Sequence, residues 1–168
     1  MPDLDITSIA AIVAALGVLV GLILTVMELR QLVAQRKMEM MLKLVPNFRM
    51  SPGELNEAIK LISTCEYKDF EDFVQKYGDP ITSINPVAVA FSTVAGWYEG
   101  LGILYYKRIA DRQLIAEFFG YATVIDWEKM KPFVIGLRER TNPKVFEYFE
   151  HLAHEMNKWV EKGTSVIA

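Results

Sequence analysis

The sequence predicts an all-α protein in which a single N-terminal transmembrane helix continues into a stalk, followed by a small cytoplasmic bundle of about five helices. Residues 6–27 contain no charged side chain, and the apolar residues after them recur at three- and four-residue intervals. No segment shows the alternation of apolar and polar residues that is typical of a strand. We assign residues 1–27 to a short extracytoplasmic start and the anchor, 28–46 to a juxtamembrane helical stalk, and 47–168 to the cytoplasmic domain.

The N-terminal apolar run has the length of a membrane span. Its 22 residues, Ile6 to Met27, form a helix of about 33 Å, close to the roughly 30 Å hydrocarbon core of a bilayer. Two alternatives fit the residues less well. A secretory signal peptide has a basic start and a shorter apolar region, whereas Asp3 and Asp5 precede this run. A buried core helix needs more protein around it than so small a domain provides.

The distribution of charge predicts the orientation in the membrane. Residues 28–50 carry five basic and two acidic side chains, while the N-terminal flank carries only Asp3 and Asp5. Because basic flanks remain in the cytoplasm, we expect a single-pass protein of the cell membrane with its N-terminus outside and the bulk of the chain cytoplasmic. Residues 51–168 are net acidic, which argues against nucleic-acid binding, and the single cysteine, Cys65, has no partner for an intramolecular disulfide.

The remaining helices are predicted from their start and stop signals. No Gly or Pro interrupts the chain between the apolar run and Pro46, so one helix should extend from Ile6 to Val45. Ser51 and Pro52 form the start signal of a helix that ends near Thr64. The later boundaries are a stop at Gly78, starts at Asn85-Pro86 and Asp111, a bend or break at Pro132, a start at Asn142-Pro143 and a stop near Gly163.

The helix opened by Asn85-Pro86 is the predicted centre of the domain. Although it is apolar enough to resemble a second membrane span, it contains Glu99, and an acid at bilayer depth costs about 2.5 to 3.5 kcal/mol. We therefore interpret it as a soluble core helix, in which its glycines mark a close helix approach or room for a loop. Its apolar positions are Val87, Phe91, Val94, Tyr98, Leu101 and Tyr105, and its glycines are Gly96, Gly100 and Gly102. The last helix is expected to direct Val145, Phe146, Phe149, Leu152, Met156 and Trp159 to the core.

The C-terminal half carries an aromatic pattern that resembles a known family. The pattern consists of Phe118-Phe119-Gly120, Trp127-Glu128, Lys131-Pro132-Phe133, and Asn142-Pro143 with Phe146, Phe149 and Glu150. Together with the acidic start, the membrane helix and the basic stalk, it makes nearly the whole chain similar to the uncharacterised prokaryotic family called domain of unknown function 4760. The resemblance implies a membrane-anchored helical domain and supplies no catalytic residues.

One face of the membrane helix is a predicted oligomer interface. Small residues at regular spacing on one face let membrane helices approach closely. The predicted interface comprises Ala10, Ala14, Gly17, Gly21, Leu24, Glu28 and Gln31, and its spacing continues to Gln35, Met38 and Leu42. In a ring of subunits, Glu28 would form an acidic collar, which is the basis of an alternative in which the protein is a pore.

Two groups of polar residues are candidates for a chemical site. Asp126, Glu128, Lys131 and Arg138 lie in one charged segment, which forms either an anion or substrate pocket or a solvated face with helix ion pairs. His151 and His154 are weak candidates for metal binding, because two ligands do not make a site. The sequence contains no catalytic motif and indicates no cofactor.

Three classes of function are consistent with these features. The first is a noncatalytic interaction module that self-associates or serves as an accessory subunit of a larger membrane assembly. The second is a homo-oligomeric pore or transport component, and the third is an enzyme acting near the membrane. The absence of catalytic motifs favours the first class. Its expected partners are the lipid bilayer and either further copies of the chain or other subunits of a membrane complex.

Overall fold

The computed structural model describes residues 6–44 and 53–167 of the chain. Within these ranges the chain forms six helices and no strand, which confirms the predicted all-α fold. The helices are α1 (Ile6–Leu44), α2 (Glu54–Thr64), α3 (Phe70–Tyr77), α4 (Pro86–Tyr106), α5 (Arg112–Arg140) and α6 (Glu147–Ile167). The chain divides into two compact units, Met1–Glu39 and Met40–Ala168, and the finer division into anchor, stalk and domain stays a prediction.

The first unit consists of most of α1. This helix runs without interruption from Ile6 to Leu44, as the lack of Gly and Pro between Met27 and Pro46 predicts. Among the described residues, two helices are long and apolar enough to cross a membrane, α1 over Ile9–Lys37 and α4. They differ in burial. None of the most apolar part of α1 is buried, whereas 44% of the most apolar part of α4 is buried.

The second unit is organised around α4. This helix packs against α2, α5 and α6, and α3 packs against α5. The predicted spacing of its inner face is confirmed, since four of the predicted positions are buried and the two at the ends are half-buried. The buried positions are Phe91, Val94, Tyr98 and Leu101, and the half-buried ones are Val87 and Tyr105. In this structure α4 is the core helix of the second unit.

Aromatic rings fill the core around α4. The Phe73 ring meets those of Phe91 and Phe133 edge-on, with ring centroids 5.1 and 4.9 Å apart. Tyr98 stacks on Phe149 at 4.6 Å. The first group joins α3 to α4 and α5, and the second joins α4 to α6. Because fully buried aromatic side chains contribute large apolar areas, these rings account for much of the stability of the unit.

Local signals set the ends of several helices. Asp69, Asn85 and Asp111 each accept a hydrogen bond from a backbone N–H in the first turn of α3, α4 and α5, at 2.7 to 2.9 Å. The predicted starts at Asn85 and Asp111 are thereby confirmed. Gly78 ends α3 with φ +89°, a conformation that favours glycine, as predicted. The predicted start signal at residues 51–52 lies outside the described residues.

Of the two outcomes predicted at Pro132, a bend or a break, the break is wrong. α5 continues through this residue, although a proline inside a helix removes one backbone hydrogen bond and costs about 3 kcal/mol. The residues on both sides of it are anchored in the core. Trp127 and Met130 are buried before the proline, and Phe133 and Val134 are buried after it. Burial of these side chains outweighs the local cost, so the helix is retained.

The predicted ends of α6 are also wrong. The segment 143–146 forms a turn, and α6 starts at Glu147 rather than directly after Asn142-Pro143. The helix continues past Gly163. Val145 and Phe146, predicted as core residues of this helix, lie half-buried in the turn. Of the other predicted core positions, Phe149, Leu152 and Met156 are buried, whereas Trp159 is 41% exposed.

Candidate functional site

The predicted oligomer interface is an exposed strip along α1. We call it the association face, and its residues Ala10, Ala14, Gly17, Gly21, Leu24, Glu28 and Gln31 are all exposed. A Cβ atom added at Gly17 or Gly21 would have no neighbour within 4 Å. The large apolar side chains between residues 9 and 33 keep 42% to 73% of their surface exposed. The two glycines therefore form a shallow apolar depression that the side chains of another helix can enter.

Between residues 9 and 27 of α1, the only polar side chain is that of Thr25. The Thr25 hydroxyl donates to the Gly21 carbonyl oxygen at 2.9 Å, so it is satisfied within the helix. Glu28 and Gln31 follow at the end of the apolar run and are exposed. The side chains of Met38 and Leu42, which extend the predicted spacing, lie outside those that the structure describes.

The four residues of the predicted charged pocket have separate surroundings. Asp126 lines a pocket between α2, α4 and α5, and its Oδ2 accepts a hydrogen bond from the Tyr98 hydroxyl at 2.7 Å. Glu128 and Lys131 are exposed, and Lys131 lies at a different, shallow pocket next to α3. Arg138 contacts the turn before α6. None of the other three residues lines the pocket of Asp126.

The Arg138 guanidinium holds the turn between α5 and α6. It donates to the carbonyl oxygens of Val145 and Phe146 at 2.7 and 3.1 Å, and its Nη1 lies 2.5 Å from Glu150 Oε2. Phe146 has φ +56°, which is uncommon for a residue with a side chain. Because charge-assisted hydrogen bonds fix the carbonyl groups on this turn, α6 does not start at Asn142-Pro143.

Glu99 of α4 caps the start of α6. Its Oε2 accepts a hydrogen bond from the backbone N–H of Phe149 at 2.8 Å. This N–H belongs to the first turn of the helix, where backbone donors have no partner within the helix. Burial raises the pKa of Glu99, and the backbone N–H groups of Phe149 and Tyr148 and the nearby Arg138 oppose that shift. The acid that argues against a membrane position for α4 thus has a structural role.

Replacing Glu99 with alanine is expected to destabilise the second unit by about 0.5 to 2 kcal/mol, because the Phe149 N–H loses its acceptor. Glu99→Gln retains an acceptor and should cost less. The free energy of unfolding is measured by urea titration of the full chain in detergent, followed by tryptophan fluorescence. All three tryptophans lie in the second unit, so the signal reports on that unit. Equal stability of the wild type and Glu99→Ala would contradict the capping role.

The same carboxyl predicts a dependence of stability on pH. Its folded-state pKa lies above the ordinary value of 4.5, so near and above pH 4.5 the folded chain binds more protons at this site than the unfolded chain. The stability that Glu99 contributes is therefore fully present below pH 4.5 and falls as the pH rises through the folded-state pKa. Glu99→Gln should remove this part of the pH dependence in the same urea titrations.

The two histidines lie on the exposed side of α6. His151 Nε2 is 3.6 Å from Glu147 Oε1, and the His151 ring meets the Tyr106 ring edge-on. His154 is exposed as well. Among the residues that the structure describes, no group of three or more His, Cys, Asp or Glu side chains is placed to hold a metal ion.

Comparison with known families assigns the chain to one of them. The model of the family described as Domain of unknown function (DUF4760) matches residues 10–159. The chain belongs to the DUF4760 family. This confirms the resemblance carried by the aromatic pattern. No curated protein and no solved structure matches the chain.

The DUF4760 match extends over parts of both units. It begins at residue 10, within α1, and ends at residue 159, within α6. The matched region therefore contains most of the apolar helix together with the helical bundle. It includes the whole association face, Glu99 and Arg138. The description of the DUF4760 family names no activity, so a functional conclusion depends on the features of this chain.

Proposed function

We propose that the protein is a membrane-anchored, noncatalytic interaction module that self-associates through the association face of α1. The observation that carries this proposal is the exposure of every residue from 9 to 36. Up to Met27 this surface is apolar, and an apolar surface of that extent requires lipid or another protein to cover it. In a helix that crosses a bilayer beside a second copy of the chain, lipid and the second copy together cover this surface.

Three features support an anchor that remains part of the protein. The apolar run has the length of a span, and it continues without interruption into the charged part of α1, with no Gly or Pro at the junction. The family match also covers this run from residue 10 onward. The basic residues after the run favour a cytoplasmic second unit and an extracytoplasmic N-terminus.

Self-association is supported by the arrangement of residues on α1. Gly17 and Gly21 expose backbone on the same side as Ala10 and Ala14, which permits close contact between two helices and hydrogen bonding of the weak Cα–H type. Glu28 lies on the same side at the end of the apolar run, where it reaches interfacial water. An association face of this composition requires no catalytic group, in keeping with the lack of catalytic motifs in the sequence.

The test is the double substitution Gly17→Leu with Gly21→Leu. Two leucine side chains on the association face would separate the helices, so the assembly extracted from native membranes should decrease in mass and copy number. Mass photometry or native mass spectrometry measures both quantities. The copy number also distinguishes a self-assembled ring from a subunit within a larger complex.

A matched control places leucines on the opposite side of the same helix. Ala15 and Val26 lie about 160° and 180° around α1 from Gly17. Ala15→Leu with Val26→Leu should leave the assembly unchanged, and the tryptophan fluorescence of both double variants should show a folded second unit. If the glycine variant assembles like the wild type, or if the wild-type chain is monomeric, the proposed self-association is wrong.

A further inference from the structure

The connection between α4 and α5 is basic, although the domain that contains it is net acidic. Residues 106–112, which we call the basic turn, carry three basic side chains and one acidic side chain. Residues 51–168 as a whole carry thirteen basic and seventeen acidic side chains. The basic side chains of the turn are Lys107, Arg108 and Arg112, and the acidic one is Asp111. A local excess of positive charge on an acidic domain indicates an anionic partner.

Exposed apolar side chains lie beside these charges. Ile103, Tyr106 and Ile109 keep 38%, 37% and 47% of their surface exposed. Ile103 and Tyr106 are three residues apart near the end of α4, so they are neighbours on one face of the helix. Lys107 and Arg108 are exposed as well. This combination of aliphatic, aromatic and cationic side chains is typical of protein surfaces that enter the headgroup region of a bilayer.

Backbone hydrogen bonds hold the basic turn in one shape. The N–H of Ile109 donates to the carbonyl oxygen of Leu104 at 3.1 Å, and the N–H of Arg108 donates to that of Tyr105 at 3.2 Å. The two bonds form a Schellman motif at the end of α4. Arg108 has φ +56°, at the position where this motif usually has glycine. The backbone therefore favours glycine here and does not account for the arginine side chain.

The three cations of the turn have different surroundings. Arg112 Nε donates to the carbonyl oxygen of Tyr105 at 3.0 Å, and its guanidinium lies over the Tyr105 ring, 4.7 Å from the ring centroid. This side chain therefore connects the start of α5 to the end of α4. In the part of the chain that the structure describes, neither Lys107 nor Arg108 forms an ion pair. These two cations are the ones that an anionic partner can reach.

The nearby acids have other partners. Asp111 caps the start of α5. On α6, Glu155 Oε1 lies 2.7 Å from Lys158 Nζ, and Glu147 Oε1 lies 3.6 Å from His151 Nε2. The helix dipole favours cations at the end of α4, but it does not explain an exposed isoleucine in the same turn. A partner that offers both negative charge and apolar surroundings accounts for both features.

We propose that the basic turn binds an anionic lipid surface, with Lys107 and Arg108 paired to phosphate groups and with Tyr106 and Ile109 between the headgroups. A lipid surface is favoured over an acidic protein because it provides phosphate oxygens directly above apolar acyl chains. The proposal rests on the membrane anchor of the proposed function, since the anchor keeps the second unit near lipid. It does not require self-association.

The test places the full chain in nanodiscs that contain a gadolinium-chelating lipid and measures the line broadening of ¹³C-labelled isoleucine δ1-methyl groups. Ile103 and Ile109 should broaden strongly in discs that contain phosphatidylserine and weakly in discs of phosphatidylcholine alone. Added salt should reduce the broadening, because it screens the attraction. Ile84 is the control methyl group, since it is 97% exposed and lies before α4, about 30 Å from the turn along this helix.

Two substitutions each remove one charge from the turn. Lys107→Gln and Arg108→Gly should each lower the ratio of bound to unbound turn about fivefold, the factor expected for one basic residue near an anionic leaflet. Glycine adopts a positive φ freely, so Arg108→Gly should leave the domain folded in urea titrations followed by tryptophan fluorescence. Lys60→Gln with Lys131→Gln is the matched control, because both lysines are exposed outside the turn.

Three results would overturn the proposal. These are equal broadening of Ile109 and Ile84, equal broadening of Ile109 in the two kinds of disc, and unchanged broadening when Lys107→Gln and Arg108→Gly are combined. A turn that stays in water beside anionic lipid would leave an acidic protein as the alternative partner. Flotation of the chain with neutral vesicles identifies which proposal fails. A chain that floats while its turn stays in water contradicts the lipid contact alone, whereas a chain that does not float contradicts the anchor as well.

Discussion

Phe73→Ala is expected to destabilise the second unit by about 3 to 5 kcal/mol, the largest loss from any single truncation considered for this protein. The Phe73 side chain is completely buried, and its ring meets those of Tyr67, Phe91 and Phe133 at centroid distances of 4.9 to 5.3 Å. The substitution removes the edge-on contacts and leaves a cavity between α3, α4 and α5. Because native domains are stable by only about 5 to 15 kcal/mol, the variant is expected to be partly unfolded at physiological temperature.

Phe118→Ala is the matched control for this truncation. Phe118 is 55% exposed on α5, so its replacement should change the free energy of unfolding by about 0.5 kcal/mol at most. Urea titration with tryptophan fluorescence compares the two variants in the full chain. Similar losses for both would mean that the packing around Phe73 does not control the stability of the unit.

Gly102→Ala is expected to destabilise the second unit by about 2 to 3 kcal/mol, whereas the same change at Gly100 should stabilise it by about 0.5 to 1 kcal/mol. A Cβ atom at Gly102 would overlap the backbone carbonyl group of Tyr148 at the start of α6. This neighbour is backbone, so it has no alternative rotamer, and α4 and α6 must separate. At Gly100 a Cβ atom has no neighbour within 4 Å, and alanine favours the helix over the unfolded chain.

Both variants replace a glycine of α4 with alanine, so they differ only in position. The decisive result is therefore that the free energy of unfolding changes with opposite sign in the two variants. Gly96→Ala is a second control and should behave like Gly100→Ala, since it also has no neighbour within 4 Å. Thermal or urea unfolding of the full chain gives the three values. If Gly102→Ala were as stable as Gly100→Ala, the close approach of α4 to Tyr148 would be incorrect.

The starts of α4 and α5 could be predicted from the sequence because their signals are local. Asn85 and Asp111 accept hydrogen bonds from backbone N–H groups two or three residues later, so the residues that form the cap are neighbours in the sequence. The inner face of α4 could be predicted for a similar reason, since the helical repeat alone places Phe91 and Tyr98 on one side.

The predicted start of α6 and a break at Pro132 were both wrong, because distant residues control these two positions. The local cost of a proline in a helix is outweighed by burial of side chains against other helices. The start of α6 depends on Glu99, which lies 50 residues before its partner Phe149, and on the contacts of Arg138 with the turn. Nothing in the residues around Asn142 indicates either contact.

The candidate sites divide in the same way. The association face could be read from regular spacing on a single helix, and its role in assembly stays a prediction. The pocket at Asp126 could not, because α2, α4 and α5 each contribute part of its lining. In the sequence, Asp126 belongs to a charged segment with Glu128 and Lys131, and only the packing of the helices separates it from them.

The sequence by itself determined that the chain is helical and that its N-terminal helix is long and apolar enough to span a bilayer. It also determined that the chain carries the aromatic pattern of its family. These properties follow from helical repeat, capping residues and composition, which act over a few residues. Only the tertiary structure decided where α6 starts, which glycine of α4 is a contact, and which acid faces a pocket. Each of these depends on side chains or carbonyl groups from segments far apart in the chain, which are brought together only when the apolar surfaces of the helices are buried.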